Sequence, residues 1–398
     1  MTSTTSFEKG LQLLDSGDYV QAEEIFQSKL KSAEGSERKS KKYANNLLWL
    51  GHVQLKLDDN QNARDNLSKA ENLYKELSEV GEELANAMTK HAESLSNLER
   101  FDEAQEKLEE ANELARAKCG PFSVQVSDTL DTLGVNYLKK NKVEEAEEAL
   151  SKSLGMRKEI YGSKHSEIAI SLTHLSSCYS QADNNTTAQV MAKQALSMQE
   201  GIIGTRHPDY GVSLLALSTA CVKQGLMTKA EPAAREAVEL FDARLPEHHT
   251  VNVWALDRLG SVMLATAKNE EAKEIYTRSL KIAQTIWGKT SANTIGSLVG
   301  LGLAHLNIGD YESAEKYLSI ALDMMEQSSS MNASIEYSIL QQLAASYVFQ
   351  LKIGDAIRLV PSSLRARHTA DFNDTMDILH KVFNFTSRQI ERWKNEKN

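Results

Sequence analysis

Small residues recur along the chain at a nearly constant spacing, and this spacing constrains the fold more than any other feature. The first two steps of the series are 41 residues long and the remaining six are 42. The marker residues are Ala22, Ala63, Ala104, Ala146, Ala188, Ala230, Ala272, Ala314 and Ala356. A fixed period in this range is the signature of one supersecondary unit that is stacked many times. The chain is therefore predicted to be a repeat protein in which each unit packs on its neighbours.

Each repeat is predicted to be a pair of amphipathic helices, called helix A and helix B. Counted back from the marker alanine, the residues 16, 13, 12 and 9 positions earlier are mostly apolar or small, which is the spacing of one helix face. Helix B carries the alanine itself, with apolar residues four and eight positions later. The residue 12 positions before each alanine is always small: Gly10, Gly51, Ala92, Gly134, Ser176, Ser218, Gly260, Gly302 and Ala344.

The paired small residues are predicted to mark the point where helices A and B cross. Helices joined by a short turn approach at about 8 Å, and bulky side chains at the crossing would hold them apart. Glycine inside a helix costs about 1 kcal/mol relative to alanine, so its recurrence indicates that close approach outweighs this cost. A second glycine series is typical of helix C-terminal caps after helix B. Its members are Gly120, Gly162, Gly204 and Gly288.

Composition argues against several classes of function. Of the 398 residues, 41% are hydrophobic and 25% are charged, and no apolar run is long enough to span a bilayer. The formal net charge of -10 disfavours nucleic acid as a main partner, and the basic stretch at 38–42 is interpreted as a solvated loop. The first residues have neither a basic start nor an apolar stretch, so no secretory signal is expected. Three cysteines at no metal-like spacing suit a reducing, cytoplasmic location without cofactor or metal.

These residues resemble the tetratricopeptide repeat, in which two helices with small residues at equivalent positions pack in series. The period of 42 with a long helix B is similar to the kinesin light chain subclass. The segments that carry this likeness most clearly lie at 144–147, 204–209 and 229–232. The resemblance covers residues 5 to 366 and implies an all-α, right-handed α-solenoid of nine helical hairpins. It also implies a role in protein–protein interaction.

Departures from the family limit what the resemblance implies. Kinesin light chains carry a heptad segment ahead of the repeats, and here the first repeat begins within ten residues, so binding to a motor heavy chain by that route is not expected. Adjacent asparagines are frequent on helix A of the family, where this chain has Asp257 and Arg258, or Thr173 and His174. The lysine and asparagine set of carboxylate-clamp domains, which bind chaperone tails, is missing from every consecutive trio of repeats. Binding of chaperone tails by that mechanism is therefore not expected.

The face of helix A that points away from helix B is predicted to line a concave groove and to bind a partner segment. Its positions lie 18, 15, 14, 11 and 7 residues before the marker alanine. Trp254 with Arg258 is the most informative pair, since an aromatic on a polar face is a typical interface anchor. Packing on the next repeat is the alternative interpretation of Trp49 and Trp254, and the lysines favour an acidic segment. The candidate groove residues are Trp49, His52, Lys56, Lys90, Asn97, Lys139, His174, Lys223, Trp254, Asp257 and Arg258.

Three histidines fall at equivalent loop positions, 42 residues apart: His165, His207 and His249. Packed helices lie about 8–10 Å apart, whereas zinc–nitrogen bonds measure about 2.0–2.1 Å, so one ion cannot join equivalent positions. We interpret them as polar starts of helix A. The chain has no P-loop, no nucleophile elbow and no H-E-x-x-H motif, and the repeats leave no room for a catalytic domain. It is therefore not expected to be an enzyme.

The predicted organisation is a solenoid over residues 1–366 followed by a capping helix within 367–398. An amphipathic helix from 371 to 393 would cover the last repeat, as solenoids require, although its apolar side could also bind a partner. The predicted function is a scaffold or adaptor that holds a protein or peptide partner in the groove. Two alternatives stay open: a peptide-sensing regulator whose superhelix changes on binding, and a structural or self-associating subunit of a larger assembly. Membrane insertion is not expected.

Overall fold

The fold is an array of α-helical hairpins. The computed structural model describes residues 6–33, 35–78, 81–327, 333–350 and 352–359, and within these ranges there is no β-strand. Two compact units can be distinguished, Met1–Val251 and Asn252–Asn398, and each is described by itself. The predicted all-α solenoid of two-helix repeats is confirmed. The predicted capping helix within 367–398 lies outside the described residues.

Helices A and B alternate along the chain. Helices A are α1 (Ser6–Asp15), α3 (Lys41–Lys56), α5 (Glu82–Asn97), α7 (Val124–Lys139), α9 (Ser166–Gln181), α11 (Pro208–Lys223), α13 (Thr250–Ala265), α15 (Ile295–Ile308) and α17 (Ala333–Phe349). Helices B are α2 (Tyr19–Ser32), α4 (Asn60–Glu76), α6 (Phe101–Cys119), α8 (Val143–Tyr161), α10 (Asn185–Ile202), α12 (Met227–Arg244), α14 (Asn269–Trp287), α16 (Tyr311–Gln327) and α18 (Ile353–Arg358). Repeats 1 to 9 are numbered by these pairs. Short 3-10 helices precede α3 and α15, at Gly35–Lys39 and Ala292–Thr294.

The helix crossings lie where the small residues predict them. A Cβ added to Gly51 would stand 2.5 Å from Leu67 Cγ, and one added to Gly260 would stand 2.6 Å from the Tyr276 ring. In both repeats the neighbour is the residue four positions after the marker alanine. These separations are shorter than any side chain tolerates without movement, so glycine is what lets helices A and B approach. Ala63 and Ala272 themselves are fully buried.

The turn between helices A and B uses one backbone conformation in repeats 1 to 8. The residue five positions before the marker alanine has a positive φ in each of these repeats: Gly17, Asp58, Glu99, Asn141, Asp183, Gly225, Ala267 and Gly309. Glycine, asparagine and aspartate adopt this left-handed region at little cost, whereas alanine and glutamate do so less readily. The predicted cap glycines are also confirmed, with φ between 78° and 93° at Gly120, Gly162, Gly204 and Gly288.

In the first unit, helices A lie on the inner side of the curvature. Each helix B of this unit from α2 to α10 packs between its own helix A and the helix A that follows. Within the first unit, consecutive helices A also contact each other, from α3 to α5 and onward to α11, while no pair of consecutive helices B in the described residues makes comparable contact. An array in which one layer is closer together than the other curves toward that layer. Side chains of helix A are therefore the ones that face the concave side of the first unit.

Candidate partner-binding surface

Some residues that were predicted to line the groove, one column of positions along the helices A, contact the next repeat and do not face the groove. The side chain 15 positions before the marker alanine contacts the side chain 40 residues later, on the next helix A. Thr89 and Thr129 have their hydroxyl oxygens 3.0 Å apart, and Thr173 and Ser213 have theirs 2.7 Å apart. All four side chains are buried. These positions are therefore contacts between repeats and are not free for a partner.

Asp257, a predicted groove residue, belongs to this column, so its assignment to the open groove is corrected. Its carboxylate accepts hydrogen bonds from Ser297 Oγ at 2.9 Å and from Ser279 Oγ at 2.5 Å, all within the second unit. Burial raises the pKa of Asp257 to about 6, against the opposing effect of the two serine hydroxyls. The Asp257 carboxylate accepts hydrogen bonds from two serines, and a partner would have to displace both of them to bind it.

A second column, seven positions before the alanine, forms hydrogen bonds along the edge where helices A end. Asn97 Nδ2 donates to Asn60 Oδ1 at 2.8 Å, and Lys139 Nζ donates to Asn97 Oδ1 at 2.6 Å. Lys223 Nζ donates to the Ser180 carbonyl at 2.6 Å. Asn97 and Lys223 thus stabilise the stacking of repeats. Exposed Lys139 has this one amide as its hydrogen-bond acceptor among the described residues, which leaves its ammonium able to pair with a carboxylate.

The two tryptophans differ in their surroundings. Trp49 packs against the hydrophobic cluster of repeat 1 and lies 5.6 Å from the His52 ring, so it fits the packing interpretation. Trp254, by contrast, is 54% exposed and is the most exposed large hydrophobic residue among those described. Arg258, one turn on, is half-buried, and desolvation lowers its pKa. Of the pair, Trp254 keeps the features of an interface anchor.

Charged side chains converge on the concave side of repeats 2 to 4. This set is called the concave cluster: His52, Lys56, Lys90, Glu93 and Lys139. Lys90 Nζ and Glu93 Oε2 are 2.9 Å apart. Lys56 Nζ reaches Asp209 Oδ1 of repeat 6 at 3.3 Å, which confirms that helices A of distant repeats face one another in the first unit.

The pKa shifts in the concave cluster show that its groups share one enclosed space. Burial alone would raise the pKa of Glu93, but the charge and hydrogen bond of Lys90, with the charge of Lys56, outweigh it and lower that pKa to about 2. Desolvation, followed by the charges of Lys90 and Lys56, holds the pKa of His52 well below its usual value. Desolvation also lowers the pKa of Lys139, although its side chain is exposed to solvent. Protein atoms that surround the exposed Lys139 ammonium account for this direction of the pKa shift.

His174 lies further along the same face, and buried charges hold it in place. Its Nδ1 is 2.7 Å from Asp131 Oδ2, which fixes the ring and leaves Nε2 for another contact. Asp131 is itself 3.3 Å from the guanidinium of Arg157, which also pairs with Asp128 at 2.8 Å. Burial raises the pKa of Asp131, but Arg157 and His174 outweigh this effect and lower the pKa below its usual range.

The sequence analysis missed Arg157 and Asp209, although both help to build this surface. Arg157 lies on helix B, and the candidate groove positions were counted on helix A only. Asp209 lies at the start of α11, and its pairing with Lys56 joins residues 153 positions apart. The only sequence signal for Arg157 was a charged residue at a position where other repeats carry apolar or aromatic side chains, such as Tyr74 and Phe241.

The three histidines spaced by 42 residues lie at the starts of helices A, as the sequence predicts. His165 Nδ1 accepts from the Glu167 amide at 3.2 Å, His207 Nδ1 from the Asp209 amide at 3.1 Å, and His249 Nδ1 from the Val251 amide at 3.2 Å. A ring nitrogen that accepts an amide proton is unprotonated, so each cap requires neutral histidine. No group of histidine, cysteine and acidic residues suited to a metal ion occurs among the described residues. In the same ranges, no helix has the length and apolarity to cross a membrane.

This hairpin geometry defines a helical repeat protein, and comparison with known families agrees. The tetratricopeptide repeat profile matches residues 83–159, 141–201, 167–243 and 247–328, which together span more than half of the chain. The protein therefore belongs to the tetratricopeptide repeat family, as predicted. No curated protein sequence matches the chain.

Several solved structures are similar to this chain. A Rap protein complexed with competence and sporulation factor superposes with a TM-score of 0.58 at 14% identity, over 95% of this chain and 98% of that one. NprR in complex with its cognate peptide NprX gives 0.51 at 16% identity, over 84% and 97%. The kinesin light chain repeats of Podosopora anserina match at 19% identity over 51% and 96%, with a TM-score of 0.42.

Proposed function

We propose that this protein is a non-enzymatic interaction scaffold whose first unit binds an extended protein segment with acidic side chains on its concave side. The observation that carries the proposal is Lys139. Its side chain is exposed, and its ammonium is hydrogen-bonded to an amide oxygen where Lys56 and Lys90 are paired with carboxylates. A carboxylate from a partner would replace water around this charge and form a charge-assisted hydrogen bond.

The balance of charge in the concave cluster supports an acidic partner. Lys56, Lys90 and Lys139 contribute three positive charges, and Glu93 with Asp209 contributes two negative ones. Both of these carboxylates are already paired with a lysine, whereas Glu93, Asp58 and Glu99 act on Lys139 through their charges and its hydrogen bond goes to an amide, so Lys139 is the lysine of the cluster best placed to pair with a partner carboxylate. His52 is held neutral by its low pKa and can accept or donate a single hydrogen bond.

A peptide-sensing regulator is the second candidate. Two proteins of the same fold, a Rap protein and NprR, were solved with a factor or a cognate peptide bound. The contact between Lys56 in repeat 2 and Asp209 in repeat 6 supports this candidate as well, because a ligand that disturbs it would change the curvature of the first unit. Concentration-dependent oligomers would instead favour a structural subunit of a larger assembly.

The acidic-partner proposal can be tested with synthetic peptides. Fluorescent peptides of equal length, one rich in glutamate, one neutral and one rich in lysine, would be titrated with the protein and followed by anisotropy. We expect the acidic peptide to bind most tightly and its affinity to fall with added salt. The double variant Lys90→Gln with Lys139→Gln should weaken binding about tenfold or more, because it removes two charged donors.

The matched control is Lys152→Gln, which removes a lysine that is 59% exposed and pairs with Glu148 on its own helix B. This variant keeps the same change of net charge per site but should bind the acidic peptide as the wild type does. Equal binding of the acidic and basic peptides would overturn the proposal. Equal losses in the double variant and the control would show that binding is non-specific.

Trp254 provides a separate test in the second unit. Trp254→Ala removes a side chain that is mostly in solvent, so the thermal unfolding midpoint should change little. If the tryptophan is an interface anchor, capture of cellular partners should decrease in this variant, measured by affinity purification with mass spectrometry against the wild type. Arg258→Ala is the companion variant, and an unchanged capture profile in both would remove this face of α13 from the proposed surface.

A further inference from the structure

The first unit contains contacts between repeats that are far apart in the sequence. Arg244, at the end of α12 in repeat 6, reaches back to the turn of repeat 1. Its Nη2 donates to the Ser16 carbonyl at 2.8 Å and lies 3.1 Å from Asp18 Oδ1. Because Ser16 and Arg244 are 228 positions apart, this contact is not part of the stacking of adjacent repeats.

The turn of repeat 2 makes an equivalent contact with the start of α13 in repeat 7. His249 Nε2 is 3.2 Å from the Lys56 carbonyl, and the Thr250 amide donates to Asp58 Oδ2 at 3.1 Å. His249 Nδ1 is already occupied as a helix cap, so Nε2 carries the ring proton and donates to Lys56. The turns of repeats 1 and 2 therefore lie against the starts of the helices A five repeats later, in constant register.

We call this set of residues the edge contact. On one side are Ser16, Gly17, Asp18, Tyr19, Lys56 and Asp58, and on the other are His207, Pro208, Asp209, Arg244, His249 and Thr250.

The edge contact is also packed. Tyr19 and His207 are 3% and 6% exposed, with their rings 6.2 Å apart in an edge-to-face arrangement. A Cβ added to Gly17 would stand 2.5 Å from Pro208 Cδ, so only glycine fits at this turn. Leu245 packs on the hydrophobic cluster of repeat 1. Burial of this kind indicates a specific contact and not a chance meeting of surface charges.

The closed arrangement nevertheless leaves polar groups unsatisfied. Tyr19 Oη and Arg244 Nε are buried without a hydrogen-bond partner among the described residues. Each such group is less stable buried than hydrated, and opening the contact would return both to water. The edge contact is therefore held by several favourable interactions against a substantial penalty, as expected of a contact with two accessible states.

We propose that the edge contact is a clasp that closes one edge of the concave surface and opens when an acidic ligand takes Lys56 from Asp209. Lys56 belongs to both the edge contact and the concave cluster, which places the two in direct competition. A carboxylate bound to Lys56 removes the attraction for Asp209, so the ligand binds the open state more tightly than the closed one. This difference in affinity is what couples binding to opening.

The coupling rests on the proposed function, but the clasp itself can be measured without any ligand. Gly17→Ala should open it, because the added Cβ meets Pro208. Gly225→Ala is the matched control: this glycine occupies the same turn position in repeat 6, with φ 72° against 75°, but has nothing within 4 Å of its Cβ position. Both variants carry the same backbone strain, and only the first disturbs the edge contact.

Amide hydrogen exchange on the full chain would measure whether the edge contact opens in these variants. In Gly17→Ala we expect faster exchange both in the turn between α1 and α2 and at residues 207–210. Gly225→Ala should speed exchange only in its own turn, between α11 and α12. Arg244→Gln provides a second variant, without glycine strain, that should give the same exchange at both sides. If residues 207–210 exchange as in the wild type in both clasp variants, the clasp is overturned.

The ligand arm uses the glutamate-rich peptide. We expect it to speed exchange at residues 207–210 in the wild type and to bind Gly17→Ala and Arg244→Gln roughly threefold or more tightly, because the closed state no longer competes. Unchanged affinity in variants with an open contact would overturn the coupling. Absence of peptide binding in every variant, with the exchange result intact, would overturn the acidic-ligand proposal and the coupling while the clasp stood.

Discussion

At the scale of the residue, position within the repeat decides the role of a side chain more than its chemical type. Lysines seven positions before the marker alanine illustrate this point. Lys223 donates to a backbone carbonyl and pairs with Asp183, Lys139 has an amide as its acceptor, and Lys56 joins repeat 2 to repeat 6. The three share a register but have different neighbours, so only Lys139 and Lys56 remain candidates for contact with a partner.

The turn geometry that recurs in repeats 1 to 8 gives a prediction for Ala267. This residue has φ 59°, a left-handed conformation that costs alanine about 1–2 kcal/mol relative to glycine. Glycine loses more chain entropy on folding, which offsets part of the gain. We expect Ala267→Gly to stabilise the protein by about 0.5–1 kcal/mol in chemical denaturation.

The control for this change lies two residues earlier. Ala265 is exposed in the last turn of α13, in the ordinary helical conformation. Ala265→Gly should therefore destabilise by about 1 kcal/mol. If both substitutions destabilise, the left-handed conformation of Ala267 is not a source of strain.

At the scale of the element, the close crossing of helices A and B is what the periodic pattern encodes. The small residue on helix A faces a large one on helix B, as at Gly134 against Leu150 and Gly302 against Leu318. These pairs lie within one hairpin, sixteen positions apart in the sequence. A local contact of this kind recurs in every repeat. Small residues at two positions, the marker alanine and the position 12 residues before it, were therefore enough to predict it.

We expect Gly260→Leu to destabilise the second unit by roughly 1–3 kcal/mol through overpacking against Tyr276. Thermal or chemical unfolding measures the change. Gly155→Leu is the control, because Gly155 is an exposed position inside α8 with nothing within 4 Å of its Cβ position. It should leave stability unchanged or raise it by a few tenths of a kcal/mol, since leucine is the better helix former. Equal effects of the two substitutions would contradict the crossing.

At the scale of the whole unit, the edge contact adds a dependence on acid. Desolvation lowers the pKa of His207 and His249. The charged groups facing His207 are Asp209, Lys56, Arg244 and Asp15, and those facing His249 are Asp58 and Lys56. Because the folded pKa lies below the unfolded one, the stability that these histidines contribute is present above about pH 6.5 and is lost as the pH falls below it.

We therefore expect the thermal unfolding midpoint of the wild type to fall between about pH 7 and about pH 5. His249→Asn should reduce this fall, because asparagine caps a helix without a titrating group. His165→Asn is the control for the substitution itself, since His165 caps α9 in the same way but stacks on Tyr161 and takes no part in the edge contact; any effect it has on the profile belongs to the cap and not to the edge contact. An identical pH profile for wild type and His249→Asn would show that His249 does not carry the acid dependence.

The candidate surface was only partly predictable from the sequence. Counting positions on helix A selected His52, Lys56, Lys90 and Lys139, which lie together in the concave cluster because the direction of a helical side chain follows from its register; their contact with a partner stays a prediction. The same counting misplaced Asp257, because a side chain at the edge of a helix face can turn toward the next repeat. Pairs 40 residues apart, such as Thr89 with Thr129, were the available signal for that contact.

By itself the sequence determined the repeat, the two helices of each hairpin, their crossing points, the left-handed caps and the histidine starts of helix A. Each of these depends on residues within about one period of each other, so the pattern contains the information. Only the tertiary structure decided that Lys56 meets Asp209 and that Arg244 meets the turn of repeat 1. Those meetings depend on the small rotation between successive repeats summed over five of them. No local pattern specifies such a sum, and the access of a partner to the concave surface depends on it.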